Sequence, residues 1–207
     1  MARETLTRDK VLDAALRLAD SDGLAGLSMR KLAGELGVEA MSLYNHVENK
    51  RDLLNGIAAR VFESVPLPDR ALPWQERLRV LANGTFAAFN EHPVIARALV
   101  SDEANPLTVG ALRLIDAIIG ALLDAGLDPY RAARGYRSLL GMVFGAVLVD
   151  SSGLTAEAAQ TPPVEWFRRT VSAREFPNLH QVLPVLAEID CAQDFEFQLE
   201  LFLNGLA

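Results

Sequence analysis

The chain has 207 residues, half of them apolar, and a net charge of −7. That is enough apolar material for a core without staples, and the single cysteine, Cys191, excludes a disulfide framework or a thiolate metal cage built from this chain alone. The N-terminal MARETLTRDK lacks the apolar stretch of a secretory signal, and the longest uncharged apolar run, 138–149, falls short of the roughly 20 residues of a membrane helix, so no membrane contact and a cytoplasmic location are expected. Residues 1–60 carry nine basic and nine acidic side chains, so the whole acidic excess lies in 61–207 and the two regions are expected to meet different partners.

Apolar periodicity predicts an all-α chain. Val11, Leu12, Ala15, Leu16 and Ala19 form one stripe, which predicts a first helix over 7–20 with Gly23 ending it. Ser28 is a good N-cap for a short helix over 28–35 that turns Leu32, Ala33 and Leu36 inward. Gly37 turns the chain, and a second short helix is predicted over 39–45. Asn49 caps a fourth helix, with Asp52 at its N3 position and Leu53, Leu54, Ile57 and Val61 on its core side. The proline-rich SVPLPDRALP, 64–73, separates a head, 1–63, from a larger body, 74–207. Pro73, His92–Pro93, Asn105–Pro106 and Asp128–Pro129 then each mark a helix start. The longest helix is predicted from Asp128 to about Val149, followed by a loop over 150–162. VEWFRR, NLHQVLPVLAEI and the C-terminal segment read as helical. The last of these, DFEFQLELFL, alternates like a strand, but a lone strand has no partner here, so it is read as a helix.

Two short helices around a glycine, backed by a first helix, make a helix-turn-helix whose second helix enters a DNA major groove. With Leu43 inward, 100° per residue points Met41 and Asn45 outward and puts Ser42 and Tyr44 beside them, with Ala40 and His46 nearer the packed side. Asn45 suits adenine, Ser42 several bases, Met41 a thymine methyl, and Tyr44 a phosphate. Lys50 sits in the first turn of the fourth helix, where the helix dipole disfavours a cation but an anion would be held by amides and ammonium together. Arg30, after Ser28, is placed similarly.

Residues 7–56 resemble the DNA-binding head of the TetR family of bacterial transcriptional regulators, through "VLDAALRLADSDG", "LSMRKLAGELGV", "SLYNHVENK" and the "LL" that follows. "REFPNLHQV" and "DFEFQLELFLNGL" resemble the C-terminal domain of the branch containing the tetracycline repressor. The resemblance implies an all-helical homodimer that binds double-stranded operator DNA with its heads and a small organic ligand in its body, a repressor by family default. By motif position it assigns DNA contact to Ser28, Met29, Arg30, Ala40, Met41, Ser42, Tyr44, Asn45, His46 and Lys50. Ala40, Met41 and Asn45 depart from the tetracycline repressor itself. "VFESVPLPD" and "LVSDEANP" lack the histidines with which that repressor holds its drug–magnesium chelate, so no metal or other cofactor is expected.

Within the body, Phe86, Phe89, Met142, Phe144, Trp166 and Phe167 are candidates to line a ligand pocket, with Asn83, His92 and Tyr136 to orient the ligand. Plain core is the competing reading for the apolar members. Leu139, Val143, Val147, Phe195, Leu199 and Phe202 are the candidate dimer face. An all-α enzyme is the alternative class, and it lacks residues: His46, His92 and His180 lie in separate segments, and no phosphate loop or metal spacing is present. A DNA-binding dimer without a small-molecule ligand stays open at this stage.

Overall fold

The computed structural model describes residues 5–150, 172–186 and 190–206, which are helical where they are regular. The head contains α1 (Arg8–Gly26), α2 (Met29–Glu35), α3 (Ala40–Leu43) and α4 (Lys50–Ser64). The body contains α5 (Trp74–Glu91), α6 (Pro93–Val100), α7 (Val109–Asp124), α8 (Pro129–Asp150), α9 (Pro177–Leu186) and α10 (Cys191–Asn204).

Side-chain caps fix the starts of the head helices. Thr7, Ser28 and Asn49 accept from the amides of Lys10, Lys31 and Asp52 respectively, each three residues on. Gly23 breaks α1 with φ of 72°, as the sequence predicts, but a last turn continues to Gly26. Gly37, at φ 65°, makes the turn between α2 and α3. Gly56 lets α4 lie close on α1, since a Cβ there would stand 2.6 Å from a methyl of Leu12.

Two predicted boundaries move. The Asn105–Pro106 start gives way to Thr108, whose hydroxyl caps α7 by accepting from Ala111 N at 3.2 Å. Proline holds its predecessor extended, and threonine is the better cap. The second short helix spans only Ala40–Leu43 and continues as a turn that brings Val47 inward. The strand-like DFEFQLELFL is helical, within α10. The predicted loop over 150–162 and the VEWFRR helix lie outside the described residues, apart from Asp150, which ends α8.

Helices α5, α7 and α8 pack on one another, and α10 closes over α8 and α5. Helix α4 packs on α1 and also on α5, α6 and α7, while α1 touches α6. The prolines of 65–73 interrupt the helices, yet the buried core runs unbroken from Val11 to Leu203. By length and composition 129–149 could cross a bilayer, but Ala132, Leu139, Val143 and Val147 on that helix are buried inside the bundle.

Candidate nucleic-acid interface

The short helix α3 is held by its apolar side. Leu43 has no solvent exposure and Val47 is buried beside it. A single turn cannot persist alone in water, so this burial sets its orientation. The opposite face is open: Met41 is 73% and Tyr44 46% exposed, and Asn45 is exposed with them. Ala40, Ser42 and His46 are half-buried. At the start of α2, Ser28 and Arg30 are exposed, while Met29 is half-buried against the core.

Ion pairs brace this surface from behind. Arg8 on α1 donates to both carboxylate oxygens of Asp52 on α4, at 3.0 and 3.1 Å, and also reaches the His46 carbonyl. The same carboxylate accepts from Glu48 N at 3.0 Å. These bonds hold the Asp52 carboxyl below the ordinary aspartate range, Arg8 being the main cause. Arg60 pairs with Asp9 and Asp13, and Lys31 with Asp22. Four acids of the head, Asp9, Asp13, Asp22 and Asp52, are thereby paired with basic side chains. Lys50 is half-buried, and its Nζ donates to the Leu24 carbonyl at 2.9 Å.

The body candidates scatter. Phe89 is fully buried and meets Phe62 of α4 and Phe144 of α8 edge-on, with centroids 5.2 and 5.3 Å apart. Phe86 stacks on Phe195 at 4.5 Å. Asn83 donates to Glu196 at 3.2 Å on the surface between α5 and α10. His92 joins Asp20 of α1 at 2.8 Å, a link between body and head. Tyr136 is half-buried, which pushes its hydroxyl pKa up. Met142 lines a shallow cleft of about 200 Å³ between α8 and α10, with Gly141, Gly145 and Cys191. Trp166 and Phe167 lie outside the described residues.

Two larger clefts open beside α7 instead, of about 470 and 450 Å³. The first lies between the end of α4 and the start of α7, where Glu63 accepts from the Thr108 hydroxyl at 3.3 Å and lies across Gly110. The second lies between the 65–73 linker, α5 and α7, with Arg77 and Arg113 in its walls. Neither arginine is among the site residues expected from the sequence. One signal was present: Arg77 stands four residues before the core residue Leu81, on the buried side of its helix.

The candidate dimer residues need correction. Leu139, Val143, Val147, Phe195 and Leu199 are buried inside one subunit, where α8 packs on α10 and α5, and Phe202 is half-buried against the same core. A second copy cannot reach the buried five. Among the described residues, the large apolar side chains left outward on these helices are Tyr130 at the start of α8, Val149 near its end, and Phe197 and Leu201 on α10.

Comparison with known proteins matches both parts of the chain. The family described as "Bacterial regulatory proteins, tetR family" matches residues 11–57, and "Tetracyclin repressor-like, C-terminal domain" matches 66–207. The HTH-type transcriptional repressor DrrR1 of Streptomyces coeruleorubidus is 29% identical, over 99% of this chain and 78% of its own length. The class E tetracycline repressor protein of Escherichia coli is 34% identical, over 73% of this chain and 71% of its own. ActR of Streptomyces coelicolor, solved with (S)-DNPA, is 30% identical with a TM-score of 0.83, covering 100% of this chain and 98% of its own. A structure of ActR with actinorhodin superposes with the same TM-score, 0.83. The chain therefore belongs to the TetR family of bacterial regulatory proteins and is a DNA-binding transcriptional regulator.

Proposed function

We propose that this regulator is a dimeric repressor that a small organic molecule releases from its operator. The observation that carries the DNA reading is the division of α3 and the turn that follows it: Leu43 and Val47 are buried, while Met41, Tyr44 and Asn45 face out together. In this reading Met41, Ser42 and Asn45 read base edges, with Ala40 and His46 at the margin of the contact. Tyr44, Lys50 and the α2 start (Ser28, Met29, Arg30) hold the phosphates that set register. Two heads on one dimer would meet half-sites roughly 34–36 Å apart.

Release follows from how α4 is placed. Its first turn carries Lys50, bonded to the Leu24 carbonyl of α1, and its last carries Phe62 and Glu63 in the wall of a cleft shared with α7. A ligand seated there tilts the head only if it binds the DNA-incompetent arrangement more tightly. ActR, similar in fold over its whole length, has been solved with two small molecules, which supports a body that takes a ligand.

The test is selection of genomic fragments by the purified full-length protein, followed by sequencing of the bound pool. Enrichment of one two-fold-symmetric sequence is expected, and Asn45→Ala should change preference at one base position per half-site. A pool without common sequence would overturn operator recognition, and a uniform loss of affinity in Asn45→Ala would overturn base reading by that residue.

A further inference from the structure

The two clefts beside α7 adjoin, since Leu67 and Arg113 line both. Facing the cleft at the linker are three arginines, Arg70, Arg77 and Arg113, against two aspartates, Asp116 and Asp124. Arg70 and Asp116 stand 3.8 Å apart with both side chains largely in solvent, a weak pair. Arg77 is different. It is only 9% exposed, and although its Nη2 meets Asp124, its Nε–H has no partner. A buried, unpaired N–H on a charged group is rare and costly. Arg113 is exposed on α7, and among the described residues it makes no hydrogen bond or ion pair.

We propose that this cleft takes an organic acid, whose carboxylate is held by Arg77 and Arg113 and whose apolar body lies along Leu67, Ile119 and Leu123. The proposal rests on the reading that a small molecule governs DNA release, and names the chemical class of that molecule. A guanidinium presents a planar fork of donors that matches a carboxylate. Three arginines against two aspartates leave one positive charge, which a monoanion neutralises. Leu67, Ile119 and Leu123 beside the charged groups give an organic body apolar contact that a hydrated inorganic anion cannot use.

Calorimetric titration of the full-length protein tests this with 2-naphthoic, 4-phenylbutanoic and decanoic acids, each beside its own primary amide. At least one acid is expected to bind 10-fold or more tighter than its amide. Arg113→Gln should remove most of that preference and leave amide binding unchanged. Failure of all three acids to bind, equal binding of acids and amides, an unchanged preference in Arg113→Gln, or displacement of the acid by inorganic phosphate at equal concentration would each overturn the proposal. DNA release is read separately. An acid that binds through Arg113 without loosening DNA upholds the site and overturns the release reading. A neutral compound that releases DNA while no acid binds does the reverse.

Discussion

Lys50, at the start of α4, donates a 2.9 Å hydrogen bond to the backbone carbonyl of Leu24, just beyond the Gly23 break in α1. The ammonium is disfavoured by the N-terminal dipole of its own helix and favoured by the carbonyl end of another. It is tethered where an approaching phosphate would meet both it and the first amides of α4. Lys50→Ala is expected to weaken operator binding for every sequence and to lower the slope of log K against log salt by about 1. The free protein should also lose about 1 kcal/mol through the missing hydrogen bond. Salt titrations and urea melts separate the two effects: a stability loss with an unchanged slope would make Lys50 a tether alone.

Asp52 supplies a pH-dependent brace. Its carboxyl is held low by Arg8 first and by the Glu48 amide as well, while partial burial opposes them. A carboxyl whose folded pKa lies below its unfolded value adds stability above the unfolded value, about pH 4, and loses it as pH falls through the folded one. Both side chains are partly in solvent, at 45% for Arg8 and 28% for Asp52, so screening limits the pair. Asp52→Asn should cost about 1 kcal/mol at pH 7. The gap between wild type and variant should narrow from pH 5 downward. Thermal melts across pH 2–7 check this, and a constant gap would assign the loss to cap geometry instead of charge.

The head was readable because its signals are local. Ser28, Gly37 and Asn49 mark turns within a few residues of the helices they bound, and Leu43 and Val47 stand against a polar remainder. The body was less so, because α8 and α10 are apolar on more than one side. Periodicity finds the stripes but does not say which one the same subunit consumes. Leu139, Val143, Val147, Phe195 and Leu199 went inward, leaving Phe197 and Leu201 out. The arginine-lined cleft joins a linker to a helix some 40 residues on, and only the folded chain brings Leu67 to Arg113. Phe89, proposed from sequence as pocket lining, instead fills the space between Phe62 and Phe144.

That aromatic chain couples the two parts of the molecule. Phe62 belongs to the head helix α4, Phe89 to α5 and Phe144 to α8, and both contacts of Phe89 are edge-on. Phe89→Ala should cost about 3–5 kcal/mol in urea unfolding, since a fully buried ring leaves a cavity. Phe89→Leu should recover most of it. Because the core is continuous, wild type is expected to unfold in one transition. A truncation that costs under 1 kcal/mol would mean that the helices collapse freely around the site.

Oligomeric state distinguishes the two faces of α10. Phe197 and Leu201 are one helical turn apart, 65% and 58% exposed, and leave an apolar stripe open to water in a single subunit. Covering it with the same stripe of a second copy, beside Val149 of α8, gives a two-fold contact of four helices. The double variant Phe197→Asp, Leu201→Asp is expected to sediment as a folded monomer, with an unfolding midpoint shifted only by the lost association. Its affinity for a two-fold operator should fall by 10-fold or more, because each head then binds without the other. Leu199→Ala, between them in sequence but buried, should instead cost about 2–5 kcal/mol of subunit stability. A double variant that still sediments as a dimer would move the contact off α10.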